Sequence, residues 1–260
     1  AVRNSEAKYA SLETKLHGTY RTFPGTSAGM SSGGFSGGNQ FVRCVHSETI
    51  HRSVIDPNRV FTEETTTSRM ENGTTSRSNS VYAFGGQWTR WLYTNDDPGH
   101  KPPVSQRSAG LQPGLSEHVS PFRPHSAALR SLDRFQPLSE ILESPQFGSL
   151  DAKVEYLGRQ NRQGLSCDDL RLVGGSRKTG KPYLVELLWL ARDRCYLLIR
   201  DESYTLRQSE RLPAAVTEVK ELRELSPGVF FPMHVVTNRF EGSGKDGLAA
   251  GRMIVSWQQE

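Results

Sequence analysis

Several places in this 260-residue chain bring together side chains that could do chemistry. Gly175 to Lys181 has the GxxxxGK spacing whose backbone N–H groups cradle phosphates. A phosphate loop then needs Ser or Thr to hold magnesium, and a helix whose N-terminus meets the phosphate. Here Pro182 follows and PYLVELLWL reads as strand, so the stretch is expected to be a basic hairpin turn. Ser166-Cys167-Asp168-Asp169 sets a thiol beside two acids. A reactive thiolate wants a cation or a helix N-terminus nearby, and neighbouring acids raise its pKa, so Cys167 is expected to be a buried structural residue. His46 and His51 lie five apart on a strand candidate and therefore on opposite faces, which excludes a local metal pair. His118 and His125 flank a Pro-rich stretch and are expected to be structural rather than ligands or bases. Asn72-Gly73-Thr74 is a formal glycosylation sequon, but a hairpin explains Asn-Gly without it.

The cysteines, Cys44, Cys167 and Cys195, are odd in number and form no CxxC. One disulfide or three buried thiols satisfies them, zinc has little support, and no metal or other cofactor is implied. The net charge of +4 comes from 32 basic and 28 acidic residues, without a Lys/Arg block that would track phosphates. Nucleic acid is therefore not an expected partner, while peripheral contact with an anionic membrane surface is compatible with the charge. There is no run of about 20 apolar residues to span a bilayer. The chain opens on AVRNSEAKYASL, read as folded domain, so any export signal would lie outside this sequence.

The elements that would carry these residues are mostly strands. A hydrophobic content of 35% with abundant Ser, Thr and Gly suits sheets with one wet face. Residues 1 to about 10 read as a short helix, and from Leu12 apolar and polar residues alternate with period two. Phe41–Ile55, Val60–Met70, the stretch after Asn72-Gly73 through Tyr82 and Phe84, and Gln87–Thr94 follow as strands, punctuated by Asp56-Pro57-Asn58, Asn72-Gly73 and Gly85-Gly86. In the Asn-Gly hairpin both turn residues tolerate positive φ. Pro24–Gln40 is Gly/Ser-rich loop, and Asp96–Pro113 reads as a long polar loop. Pro121–Pro145 is the clearest helical region: Ala127, Ala128, Leu129 and Leu132 suit one short helix, and Leu138, Ile141 and Leu142 recur at helical spacing after Pro137. Strands then run to the end, at roughly 151–158, 165–173, 182–191, 195–206, 215–225, 229–240 and 252–257. This is sheet with a few helices rather than alternating βαβ.

The order of pieces resembles the LolA/LolB-like outer-membrane lipoprotein carrier superfamily. The likeness is carried by NSEAKYASLETKLHGTY (Asn4–Tyr20), VYAFGGQWTRWLY (Val81–Tyr93), FRPHSAALR (Phe122–Arg130) with PLSEIL, and ELLWLARDRCYLLIRDESY (Glu186–Tyr204) leading through VTEVKELRELSPGVFFPMHV to Val235. The resemblance implies a mainly β (α+β) fold: a curved antiparallel sheet forming an incomplete barrel, with helices as a lid over an apolar cavity on its concave side. It treats 1–260 as one domain with flexible loops near 24–40 and 95–120, both of which read as insertions. The lid-locking arginine of the carriers aligns onto no single position here.

The function that follows is non-enzymatic binding of a hydrophobic ligand, a lipid or lipoprotein acyl chain, by a monomer in the periplasm or cell envelope. Cavity or lid contacts are expected from Trp91, Leu138, Leu142, Leu187, Trp189 and Phe230. The even spread of these aromatics also fits a plain core. Alternation puts Tyr183, Val185, Leu187 and Trp189 on one face of a strand without saying which face is concave. Fold does not dictate function, so two alternatives stand beside the carrier. A cofactor-free enzyme on the same scaffold would draw on Arg123, His125, Arg192 and Asp193. A lipoprotein-sensing module would use the outer surface instead.

Overall fold

A computed structural model of the chain describes residues 1–9, 12–22, 44–56, 59–97, 104–114, 123–128, 137–143, 146–147, 150–176, 182–205, 213–240 and 252–259. Helix α1 (Val2–Glu6) runs into a 3₁₀ turn, Ala7–Tyr9. Strands β1 (Leu12–Thr22), β2 (Cys44–Asp56), β3 (Arg59–Met70), β4 (Thr75–Phe84), β5 (Trp88–Asp97) and β6 (Val104–Pro113) follow. A 3₁₀ turn, Pro124–Ser126, and helix α2 (Leu138–Glu143) interrupt the strands. The chain then continues as β7 (Gln146–Phe147), β8 (Leu150–Arg162), β9 (Leu165–Ser176), β10 (Pro182–Ala191), a 3₁₀ turn at Arg192–Arg194, β11 (Leu197–Thr205), β12 (Ala215–Ser226), β13 (Val229–Phe240) and β14 (Arg252–Gln259). The Gly/Ser stretch 24–40, His118, Leu129, Leu132 and residues 177–181 of the GxxxxGK stretch lie outside the described residues.

Two compact units result, one made of Ala1–Ala10 and Phe122–Ala249, the other of Ser11–Pro121 and Ala250–Glu260. In the second, the strands lie in the order β6-β5-β4-β3-β2-β1-β14. In the first the order is β13-β12-β11-β10-β9-β8-β7. The paired strands are antiparallel, and β6 and β7 are edges, so the sheets stay open. The mainly β, antiparallel fold class with a few helices at the start and middle of the chain is the one observed. The strands β8 to β14 fall close to the expected spans.

Residues 104–113 correct the reading of a loop. They form β6, paired with β5 from Val104 opposite Asp97 to Pro113 opposite Trp88. The sequence VSQRSAGLQP shows no alternation because this edge strand is largely exposed. Backbone pairing with β5, not burial of a face, defines it. The helical reading of Ala127 and Ala128 is also amended: they close the 3₁₀ turn Pro124–Ser126, with the Ala127 N–H bonded to the Pro124 carbonyl at 3.3 Å.

The Asn72-Gly73 hairpin forms, but with a different turn from the one expected. The Met70 N–H bonds the Thr74 carbonyl at 2.8 Å, and the Gly73 N–H bonds the Met70 carbonyl at 2.9 Å. Of the two turn residues only Gly73, at φ 81°, is left-handed. This is a three-residue loop closed by a left-handed glycine. The Asn72 side chain takes a different role, accepting the Thr74 N–H at 3.0 Å and the Thr74 hydroxyl at 2.6 Å. A turn with two positive φ angles is found instead at Gln163-Gly164, at 55° and 79°, which joins β8 to β9.

Candidate functional site

Among the described residues of the first unit, one face of β9, β10 and β11 buries a group of leucines together with Glu186. Along β10, Glu186, Leu188 and Leu190 are buried on that face. Leu172 stands opposite Glu186, Leu170 opposite Leu188, and Leu198 opposite Leu190. Leu172, Leu188 and Leu198 are fully buried, and removing each side chain from water contributes about 2 kcal/mol. Across β11 to β13 the same face turns polar. Leu188 faces Asp201, Asp201 faces Thr217, and Thr217 faces Thr237. The two threonine hydroxyls are 3.0 Å apart, and Asp201 is buried. The face therefore offers leucines at one side and a polar stripe at the other.

Two short helical pieces add buried side chains to this unit. The Pro124–Ser126 turn packs against β11. In α2, Leu138 and Ile141 are buried and Leu142 is half-buried. Pro137 opens α2 as the spacing predicts, its carbonyl accepting the N–H groups of Glu140 and Ile141 at 3.1 and 3.2 Å. A helix of six residues cannot hold itself in water, so its free N–H groups need a partner from elsewhere. Glu6 supplies it. Its carboxylate accepts the Leu138 N–H at 2.6 Å and also the Ser139 N–H and hydroxyl. Arg3 pairs with Glu143 at the other end of α2.

The 3₁₀ turn after α1 continues this clamp. The Tyr9 hydroxyl donates to the Phe230 carbonyl, and its ring meets His125 edge-on, with centroids 5.2 Å apart. His125 is buried, and its Nε2 lies 2.7 Å from the Cys195 carbonyl. Burial lowers the pKa of His125 and so favours a neutral ring. Lys8 Nζ donates to the Gly228 carbonyl at 2.9 Å and to Cys195 Sγ at 3.4 Å.

The six expected contact residues separate into different settings. Leu138 is buried in α2, with Leu142 half-buried beside it. Leu187 and Trp189 share the face of β10 opposite Leu188 and Leu190, and that face is charged. Trp189 stands opposite Asp169 on β9 and Arg200 on β11, and Leu187 opposite Arg171 and Glu202. The guanidinium groups of Arg162 and Arg200 lie 4.6 and 4.7 Å from the Trp189 ring. Trp189 also packs against the small buried cluster of Cys167, Ala191 and Ile199. Phe230 is half-buried beneath Arg194, 4.6 Å from its ring, while its neighbour Phe231 is fully buried. Trp91 belongs to the second unit, where its indole lies over Gly110. The residues that sequence reasoning missed are Leu172, Leu188, Leu190, Leu198 and Phe231. Their alternation was visible, but period two cannot say which face turns inward.

The polar residues considered for catalysis have the following settings. His125 meets the Cys195 carbonyl, Arg192 pairs with Asp168 at 3.4 Å, and Asp193 is exposed. Burial lowers the pKa of Arg123, against the opposing influence of Glu6 and Glu140. All three cysteines are free thiols, with Cys44 and Cys167 buried. Burial and the nearby Asp169 push Cys167 up to about 11, which fits the expected structural role. Among the described residues no three His, Cys, Asp or Glu side chains meet as metal ligands, and no helix is long and apolar enough to cross a membrane.

The second unit buries a polar face instead. Thr14, Ser53 and Thr62 are buried side by side on β1, β2 and β3, with the Thr14 and Ser53 hydroxyls 2.8 Å apart. Tyr82 and Trp91 continue that row on β4 and β5. In the next row His51 is buried, with Nδ1 3.5 Å from the Glu64 carboxylate. His46 instead pairs with Glu48 at 3.2 Å, so the two histidines do not act together.

No family model and no curated protein matches the chain. Solved structures do match it over nearly its whole length. A LolA superfamily protein from Nitrosomonas europaea shares 9% identity with a TM-score of 0.37, covering 100% of this chain and 91% of that one. A domain described as an outer membrane lipoprotein-sorting protein, from Vibrio parahaemolyticus, shares 6% with a TM-score of 0.46, covering 100% and 87%. A DUF1329 family protein from Desulfovibrio piger shares 11% with a TM-score of 0.38, covering 99% and 88%.

Proposed function

We propose that this chain is a non-enzymatic cell-envelope carrier that shelters an apolar ligand, a lipid or lipoprotein acyl chain, against the leucine face of β9–β11, with the Pro124–Ser126 turn and α2 as its lid. The observation that carries this reading is the composition of that face. Leu188, Leu190 and Leu198 form an apolar patch, with Leu172 beyond the buried Glu186, bordered by the Asp201–Thr217–Thr237 stripe. An acyl chain needs a dry surface, worth about 0.8 kcal/mol per CH₂, and its polar end needs hydrogen-bond partners. The lid is tied down by side chains of the N-terminal segment, Glu6 on α2 and Arg3 on Glu143. Such a tie opens without breaking a strand ladder.

Leu138 and Leu142 are the lid contacts on which the reading relies. Leu187 and Trp189 lie on the other face of β10 and Trp91 in the second unit, so they and Phe230 are each tested separately from the leucine face. The resemblance of the sequence to LolA/LolB-like carriers supports the same reading. The carrier acts as a monomer in the periplasm or envelope. The test is titration with a fluorescent fatty acid, alongside native mass spectrometry of protein purified from cells. Saturable one-to-one binding, weakened at least tenfold in Leu138→Asp, is expected. Absence of both a copurifying lipid and saturable binding would overturn the proposal.

A further inference from the structure

We propose that Lys8 and Cys195 are a peroxide-responsive pair that closes into a covalent S–N bridge, stapling the N-terminal turn to the connection between β10 and β11. This goes beyond the carrier reading and does not depend on it.

The geometry is that of a prepared pair. Lys8 Nζ is 3.4 Å from Cys195 Sγ, and both atoms meet the same acceptor, the Gly228 carbonyl, at 2.9 and 2.6 Å. One carbonyl in the β12–β13 hairpin therefore holds amine and thiol together. The backbone beneath the thiol is held as well. Cys195 and Tyr196 are consecutive left-handed residues, at φ 59° and 56°, a conformation that surroundings must stabilise in residues other than glycine. His125 meets the Cys195 carbonyl at 2.7 Å, and Tyr9, next to Lys8, is anchored to the Phe230 carbonyl. Access favours this thiol over the other two. Cys44 and Cys167 are buried, whereas Cys195 is partly exposed and Lys8 is exposed.

The oxidant is hydrogen peroxide, and the chemistry has two steps. Cys195 Sγ attacks one peroxide oxygen, the O–O bond breaks, and sulfur gives up two electrons. The thiol proton leaves with the departing hydroxide as water, and a sulfenic acid remains. The Lys8 ammonium gives one proton to solvent, and the nitrogen lone pair so released attacks Sγ. The S–O bond breaks, and hydroxide takes a proton from nitrogen and leaves as a second water. Thiol, amine and one peroxide become one S–N bond and two waters. An external dithiol reverses the change by attacking sulfur, releasing amine and thiol and becoming a disulfide itself.

The bridge would fix the segment whose Glu6 holds α2 and whose Tyr9 holds β13. The experiment is peroxide treatment of the reduced full chain, followed by intact mass and a tryptic map without reductant. The expected product is lighter by two hydrogen atoms. Trypsin no longer cuts after Lys8, the Lys8 and Cys195 peptides run as one species, and dithiothreitol separates them. Lys8→Arg should instead accumulate Cys195 sulfinic acid, and Cys195→Ser should yield no linked peptide. Lys8→Met serves in place of the arginine variant if that one misfolds by circular dichroism. Cys195 sulfinic acid with unlinked Lys8 in the unsubstituted chain would overturn the proposal. So would a two-hydrogen loss that maps to a disulfide between Cys44 and Cys167.

Discussion

The Glu6 carboxylate accepts the backbone N–H of Leu138 at 2.6 Å, although the two residues lie 132 apart in sequence. It caps α2 from outside, in the place where a local Ser, Thr or Asp usually stands. Removing it leaves the Leu138 and Ser139 N–H groups and the Ser139 hydroxyl without this acceptor. Glu6→Ala is expected to cost about 1–3 kcal/mol in urea unfolding, with Glu6→Gln milder. If α2 is a lid, Glu6→Ala should also speed release of a bound fatty acid in stopped-flow measurements.

His125 should make stability fall in mild acid. Burial holds its folded-state pKa below the ordinary 6.5; Lys8 acts in the same direction, and Glu6 and the Cys195 carbonyl oppose it. Between the folded and unfolded values the unfolded chain binds a proton that the native chain does not. Stability is therefore full above about pH 6.5 and declines as the pH drops below it. Urea midpoints at about pH 7.5 and about pH 5 should differ less in His125→Gln than in the unsubstituted protein, even though the variant is weaker at both.

Trp189 between two guanidinium groups predicts unequal effects of the two arginines. Arg162→Ala removes one cation–π contact and the pair with Asp169 at 2.6 Å, and should cost about 1 kcal/mol. Arg200 also pairs with Glu202 at 2.6 Å and with Glu218. Burial alone would raise the pKa of Glu218, but Lys220 and Arg200 outweigh it and hold the carboxyl low. Arg200→Ala should thus cost more, about 2 kcal/mol, and expose the Trp189 ring on one side. Equal losses in chemical denaturation would contradict this assignment.

Gly110 is the floor under Trp91. A Cβ added there would stand 2.6 Å from the indole, so the ring must move. Gly110→Ala is expected to shift tryptophan emission and to destabilise by about 1–3 kcal/mol. It also tests Trp91 as a ligand contact. If fatty-acid affinity is unchanged while the emission shifts, Trp91 plays no part in binding.

Thiol accessibility should single out one cysteine. Iodoacetamide at neutral pH is expected to label Cys195 in the native protein, and Cys44 and Cys167 only after unfolding. Both of those are buried, and burial raises the pKa of each thiol. Mass spectrometry of the peptides reads the order directly.

What the sequence determined alone was the list of strands and most of their turns. Period-two alternation, Gly and Pro punctuation and the Pro137 helix start are local signals, and local sterics enforce them. It also excluded a phosphate loop at Gly175–Lys181, because a strand rather than a helix follows. Three things needed the tertiary structure. One was β6, whose residues carry no buried face and become a strand only by pairing with β5. Another was the choice between the two faces of β10. Leu187 and Trp189 alternate with Leu188 and Leu190 in a run apolar on both sides, and only the packed neighbours decide that the second pair is buried while the first meets charges. The last was every contact between residues distant in the chain: Glu6 with Leu138, Tyr9 with Phe230, and Lys8 with Cys195. Periodicity reports the environment of a segment relative to its own axis, and such pairs are set by where the axes of separate segments cross.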